Sequence, residues 1–297
     1  MPRSASCPTP GPDLHPAAGD TTSRLELDGV SLAYRDEGEG LPLLCLHAIG
    51  HGAADFRGLR ARLRRPVRLL ALDWPGHGSS GPDRAPLSAT RYAELAAGFL
   101  ARLGLRRVVL LGNSIGGAAA LRVAATDRER VRALVLCNPG GLAPVDALAR
   151  GFTRAMAAFH AFGARGGRGY GAAFALYYRS VLQRRAAAWR REEIVARARD
   201  AAPLLAEAWR SFGAPDADQR ALVPEIRQPV LLAWATRDPV ISLWLARRAI
   251  ERFPDARLER FPAGHAPFLE TPEAFAASLD RFLHELDRSA LDPRGGF

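Results

Sequence analysis

The chain contains no lysine: its 41 basic side chains are all arginine, spread over 297 residues. Replacement of one basic residue by the other throughout reads as compositional drift of the coding sequence. The arginines are also scattered, not laid along one stripe interleaved with stacking aromatics. A net charge of +10 therefore does not mark a nucleic-acid partner. Cysteine is scarce too. Of the three, Cys7 sits near the amino terminus, while Cys45 and Cys137 fall inside apolar runs. That pattern excludes a disulfide framework or a metal knot and fits a reducing cytoplasm. Long uncharged apolar runs are missing, so no membrane-spanning helix is expected. Residues 1–22 are rich in Pro, Ser, Ala and Gly but have no apolar h-region, so they read as a disordered tail and not as a secretory signal.

What is present is an ordinary globular composition, 48% hydrophobic and 24% charged, in a chain long enough to bury a sizeable core. Its organising stretch is Val108 to Gly117. Four apolar residues suited to a strand buried on both faces run into Gly112-Asn113-Ser114-Ile115-Gly116, and a small, helix-favouring stretch follows. In a Gly-x-Ser-x-Gly turn the serine is held in a strained conformation at the tip. Glycine is needed on both sides because a Cβ there would strike the neighbouring strand or helix. The Ser114 hydroxyl then stands exposed above the sheet, beside a helix start whose free NH groups suit an oxyanion.

Around this stretch strands and helices alternate. A hairpin over Arg24 to Tyr34 turns at Asp28-Gly29. Strands are predicted at 42–47, 67–72, 131–137, 229–235 and 257–261, with helices at 54–63, 89–103, 117–125, 243–252 and 272–286. Such alternation implies βαβ units and a parallel, doubly wound α/β sheet. It stops between residues 144 and 220, where the apolar positions take helical spacing. Hence the domain reading: an α/β core over 23–143 and 221–297, with a helical insertion over 144–220. The insertion holds thirteen arginines against seven carboxylates, a net of +6, which reads as a solvated basic face. Its Gly-rich joint, Gly163 to Gly169, is a flexible connection and not a phosphate cradle, since no strand precedes it and no Lys-Ser/Thr pair follows.

Three polar residues each follow a predicted strand at its carboxyl end, where open parallel sheets collect their catalytic groups: Ser114, Asp238 and His265. A serine hydroxyl is a poor nucleophile near neutral pH and needs an imidazole to take its proton. The imidazole in turn needs a carboxylate to fix its tautomer and stabilise its charge. Of the seven histidines, His15 lies in the tail, His160 and His284 within helices, and His47, His51 and His77 in loops they suit as anchors. His265, in a Gly-His turn after the last strand, is the base. The other strand end that could supply an acid holds Asn138, which cannot carry the charge, so Asp238 is preferred.

The ordered set of His47-Ala48-Ile49-Gly50, Asp73-Trp74-Pro75-Gly76-His77-Gly78-Ser79-Ser80, Gly112 to Gly117, Arg237-Asp238-Pro239-Val240 and Gly264-His265 resembles the α/β-hydrolase superfamily, serine-nucleophile type. The resemblance covers nearly everything from Ser23 to Leu286. It implies a mostly parallel eight-stranded sheet, a helical cap after the sixth strand, no metal and no cofactor. It also implies an oxyanion hole formed by the backbone NH groups of Ile49 and Ile115. Ala48 departs from the glycine many members carry after the His. Relatives that attack with aspartate do not fit Ser114. Those that cleave carbon-carbon bonds usually carry Trp shortly after the catalytic His, where this chain has Ala266-Pro267-Phe268.

The function expected is a cytoplasmic serine hydrolase of a small ester, lactone or thioester, acting through an acyl-enzyme on a small-molecule acyl substrate. The alternatives are a carbon-carbon hydrolase of ring-fission-type diketones and a non-catalytic ligand-binding protein on the same scaffold. Phe152, Met156, Tyr177 and Trp189 are the candidate substrate-binding residues of the cap, although each could equally pack the cap on itself. Nothing in the sequence fixes an oligomeric state.

Overall fold

In the computed structural model, residues 22–291 are described. Cys7 and the expected tail up to residue 21 lie outside them, and Thr22 already opens the first strand. The strands are β1 (Thr22–Leu27), β2 (Val30–Glu37), β3 (Leu41–Leu46), β4 (Val67–Leu72), β5 (Val108–Asn113), β6 (Val131–Cys137), β7 (Val230–Ala235) and β8 (Ala256–Phe261). They form one sheet in the order β1-β2-β4-β3-β5-β6-β7-β8. β2 runs antiparallel to β1 and β4, and every other pair is parallel. This is the expected eight-stranded, mostly parallel sheet. Its central strand β5 is buried at all six positions, as a strand covered by helices on both faces must be.

The helices are α1 (Leu59–Arg62), α2 (Ala89–Arg102), α3 (Ile115–Thr126), α4 (Ala147–Ala164), α5 (Tyr170–Val181), α6 (Ala188–Ala196), α7 (Ala198–Ser211), α8 (Leu243–Ile250), α9 (Pro267–Glu270) and α10 (Pro272–Leu291). Local chemistry explains several boundaries. Ser88 caps α2 by accepting from the Arg91 NH at 3.0 Å, and Asp146 caps α4 by accepting from the Ala149 NH at 2.9 Å. The hairpin between β1 and β2 turns on Asp28 (φ 48°) and Gly29 (φ 77°), the left-handed pair a two-residue turn requires. The single helix expected over 54–63 is instead a 3-10 turn, Ala53–Phe56, followed by the one-turn α1. Gly58, at φ 71°, breaks the path between them.

Helices α4 to α7 are inserted between β6 and β7. Their apolar stripes pack on one another and down onto the carboxyl end of the sheet, where Tyr178, Val181, Leu182 and Leu205 join the main core. The inserted helices therefore roof the strand ends from which the candidate site residues emerge.

Candidate active site

The turn after β5 is built by exclusion. A Cβ on Gly112 would come within 2.4 Å of the Gly116 carbonyl oxygen, and one on Gly116 within 2.2 Å of the Leu46 carbonyl oxygen at the end of β3. Only glycine lets strand and helix approach this closely. Between them Ser114 sits at φ 56° and ψ −119°. Its NH donates to the Cys137 carbonyl at 3.1 Å, and its own carbonyl accepts from the NH groups of Ala118 and Gly140, both at 3.0 Å. Ser114 occupies the N-cap position of α3, yet its hydroxyl makes no capping bond, because the strained backbone turns it away from the helix. The hydroxyl is left free to face the cavity that Ser114 lines.

His265 lines the same cavity and is 5% exposed. Its Nδ1–H donates to Asp238 Oδ2 at 2.7 Å, which leaves Nε2 as the ring's proton acceptor. Burial works to lower the imidazole's pKa, but the charge and hydrogen bond of Asp238 outweigh it and hold the group above its ordinary value. Asp238 is itself fixed from three directions. Oδ1 accepts from the NH of Val240 at 2.7 Å and of Ile241 at 3.2 Å, and Oδ2 accepts from Asn138 Nδ2 at 2.6 Å. Asn138, at φ 42° after β6, also takes the Ala235 NH on its Oδ1 at 2.7 Å. The strand end that cannot supply an acid thus supplies a donor to the acid next to it.

Ala48 and Ile49 line the cavity across from the turn. Their loop is closed by the His51 NH donating to the Ala48 carbonyl at 3.2 Å and the Gly50 NH donating to His77 Nε2 at 3.0 Å, with the Ile49 NH between them. Ile115 is the first residue of α3, where a helix provides no acceptor for the NH. His47 and His77 are consumed as anchors. His47 Nε2 accepts from the Trp74 NH at 3.0 Å, and burial lowers the pKa of both rings, that of His77 to about 4.

Two further imidazoles border the cavity: His51, expected as a loop anchor, and His160, expected within a helix. His51 donates from Nδ1 to Asp55 Oδ2 at 2.7 Å, and Asp55 Oδ1 accepts from Arg190 Nε at 2.6 Å. Burial works to raise the Asp55 carboxyl, but His51 and Arg190 hold it well below the usual carboxylate range. The spacing of His51 to Asp55 was the one sequence signal for this pair. His160 reaches the cavity from α4.

Of the aromatic and methionine candidates, Tyr177 lines the cavity and Phe152, Met156 and Trp189 do not. Helix α4 buries Thr153, Ala157 and His160, so Phe152 and Met156 sit one residue, about 100° of rotation, away from the inward stripe. Phe152 is 44% exposed and meets Trp209 edge-on with ring centres 5.4 Å apart. Trp189 is likewise one position off the buried residue Arg190 of α6. The free space is narrow, about 30 Å³, room for a water or two before any wall moves. Among the described residues no cluster of three His, Cys, Asp or Glu side chains could hold a metal ion.

Glu270, 2% exposed in α9, completes the surroundings. Its Oε1 accepts from the NH groups of Gly264, His265 and Ala266 at 2.8, 3.0 and 3.4 Å, and its Oε2 from those of Gln183 and Arg184 at 2.7 and 3.1 Å. One carboxylate thus ties the His265 loop to the segment after α5.

The reversed second strand, the serine turn after β5 and the histidine loop after β8 define an α/β-hydrolase fold. The chain belongs to the alpha/beta hydrolase family, whose sequence profile matches residues 43–278. It is 30% identical over 269 residues to the pimeloyl-[acyl-carrier protein] methyl ester esterase of Nitrosomonas europaea, an alignment spanning 84% of this chain and 99% of that one. It is 36% identical over 141 residues to the 2-hydroxymuconate semialdehyde hydrolase of Pseudomonas putida, spanning 43% and 48%. The crystal structure of a hydrolase from Pseudomonas aeruginosa superposes with a TM-score of 0.72 at 29% identity, covering 90% of this chain and 99% of that one. With these relatives, the protein is a hydrolase.

Proposed function

We propose that the protein is a serine hydrolase that cleaves a small ester, lactone or thioester through an acyl-enzyme. The observation that carries this reading is one shared cavity, lined by a serine in a strained turn and by a histidine whose far nitrogen is held by a carboxylate at 2.7 Å. In the proposed reaction His265 Nε2 takes the Ser114 proton as Oγ attacks the substrate's carbonyl carbon. Asp238 stabilises the imidazolium, and the NH groups of Ile49 and Ile115 receive the oxyanion. The imidazolium then gives its proton to the departing alcohol or thiol, and water repeats the sequence to free the acid. The narrow cavity favours small acyl groups unless the inserted helices, acting as a cap, shift. The buried free thiols Cys45 and Cys137 suit a reducing compartment, so we place the protein in the cytoplasm.

Replacing Ser114 by Ala tests the mechanism. The variant is expected to lose fluorophosphonate labelling and p-nitrophenyl acetate turnover while keeping its thermal midpoint; undiminished turnover sinks the proposal. The similarity to the 2-hydroxymuconate semialdehyde hydrolase supports a second reading, carbon-carbon cleavage of a vinylogous diketone by the same residues. Against it, Ala266 follows His265 where such relatives usually carry Trp nearby. Turnover of such a diketone faster than of any ester would select the second reading.

A further inference from the structure

His160 is 1% exposed, borders the cavity that Ser114 lines, and has one ring nitrogen without a partner among the described residues. Its Nδ1 lies 2.9 Å from the Tyr170 hydroxyl, while Nε2 meets no hydrogen-bonding group among the described residues. A buried polar atom left open in this way is costly unless something else satisfies it. Burial lowers the pKa of the ring to about 4, so it is neutral near pH 7 and exists as one of two tautomers.

The Tyr170 hydroxyl decides between them. Tyr170 is 1% exposed and His160 is the one hydrogen-bond partner of its hydroxyl among the described residues. If Nδ1–H donated to the phenol oxygen, the phenol's own proton would be stranded inside the protein. If the phenol donates to Nδ1, its proton is satisfied and the imidazole hydrogen moves to Nε2. The second arrangement leaves one open group instead of two. His160 therefore offers an N–H donor, and the group that meets it must be an acceptor. The surroundings then select among acceptors. The rings of Phe159 and Phe174 lie 5.0 and 6.0 Å from the imidazole, and the same cavity is lined by Val181, Leu205, Trp209 and Phe212, with the polar tips of Tyr177, Tyr178 and His51 among them. Among the described residues no arginine lines the cavity, so a carboxylate beside His160 would find no permanent counter-charge.

We propose that His160 is a specificity-determining residue, whose Nε2–H binds a second, neutral oxygen, keto or ether, carried on the acyl chain of the substrate. The acyl chain is the part concerned because it stays bonded to Ser114 after the leaving group departs, in the cavity both residues share. The proposal rests on the serine-hydrolase reading and deepens it.

The test uses p-nitrophenyl esters in matched pairs: 4-oxopentanoate against pentanoate, 5-oxohexanoate against hexanoate, and 6-oxoheptanoate against heptanoate. Each kcat/KM is divided by the ester's rate with hydroxide to remove intrinsic reactivity. For at least one pair the wild-type protein should prefer the oxo ester by about tenfold or more, since a site built to hydrogen-bond a group rejects the analogue lacking it. In His160→Phe that ratio should fall to near one. His160→Leu, which likewise removes the donor, carries the test if His160→Phe does not fold. Ratios near one for all three pairs in the wild type overturn the assignment alone, as does a ratio that survives in the folded variants. No turnover of any ester takes down the serine-hydrolase reading and the inference with it.

Discussion

Glu270→Gln is the substitution that most directly asks whether the His265 loop depends on a single buried carboxylate. Among the described residues both oxygens of Glu270 accept only backbone NH groups, three from Gly264, His265 and Ala266 and two from Gln183 and Arg184, at 2.7 to 3.4 Å. Glutamine keeps the shape but has one acceptor. Whichever way the amide turns, its NH2 group faces at least two NH donors, so two hydrogen bonds are lost. Bonds to a charged group contribute about 1.5–3 kcal/mol each, so the loss is at least about 3 kcal/mol, even after some relaxation. In a chain of this size that lowers the thermal midpoint by roughly 6–12 °C, on the usual scale of about 2–4 °C per kcal/mol. Because one of the freed NH groups belongs to His265, turnover should fall along with stability. Displacing a proton-transfer group by about 1 Å can cost on the order of 100-fold. Scanning calorimetry and p-nitrophenyl acetate kinetics on the same preparation read both effects. A midpoint within about 2 °C of wild type, with kcat within twofold, would refute the claim that this carboxylate holds the loop.

If His265 is the base as proposed, it must be neutral to accept a proton, and because Asp238 raises its pKa the pH profile of kcat/KM should have an acid limb with its midpoint above the ordinary imidazole value. Activity is lost as pH falls through that value; Asp238→Asn should move the midpoint down and lower kcat by about 10³–10⁴. A midpoint that stays in place in the Asn variant contradicts the coupling. Asp55→Asn takes the buried partner from Arg190, 8% exposed, leaving it only the exposed Glu193 at 2.9 Å, and should destabilise the fold by about 3 kcal/mol in urea titration. Because the Asp55 pKa is depressed, this contribution is present above the ordinary carboxylate pKa and lost as pH falls through the lower folded value. The gap between variant and wild type should therefore be equal at pH 7 and pH 6, and a gap that halves between them argues against the ion pair. Gly116→Ala puts a Cβ 2.2 Å from the Leu46 carbonyl oxygen and 2.8 Å from that of His47, both backbone atoms that cannot swing aside. The strand end carrying Ala48 and Ile49 must then move by roughly 1 Å, and kcat should drop about 100-fold; a variant within threefold of wild type would show the fit to be looser than drawn.

The periodicities that gave β4 and β6 their limits residue for residue also gave the sheet, because a strand buried on both faces is apolar over nearly its whole length, here interrupted only by Arg68 and Arg132 near the strand starts, and each ends at a polar turn. The serine turn was legible for a related reason. Its glycines are demanded by steric exclusion, which acts between residues close in sequence and leaves a local signature. Side-chain direction on the inserted helices was not legible. Apolar spacing identifies a helix but leaves its rotation open when apolar residues occupy more than one face, and on α4 a single position separates exposed Phe152 from buried Thr153.

Glu270, Asn138 and His160 were hidden for a different reason: each acquires its role from groups far away in the chain. Glu270 binds NH groups 86 and 87 residues upstream, and Asn138 donates to a carboxylate 100 residues downstream. His160 differs from an ordinary core histidine only through a phenol one loop away and a serine 46 positions earlier on another layer. The proposed acid-base partners announce themselves because that chemistry restricts residue type to Ser, His and Asp at strand ends. A backbone NH or a phenol can be met by many residue types, so the positions that orient such a site carry no comparable restriction, and only the fold reveals them.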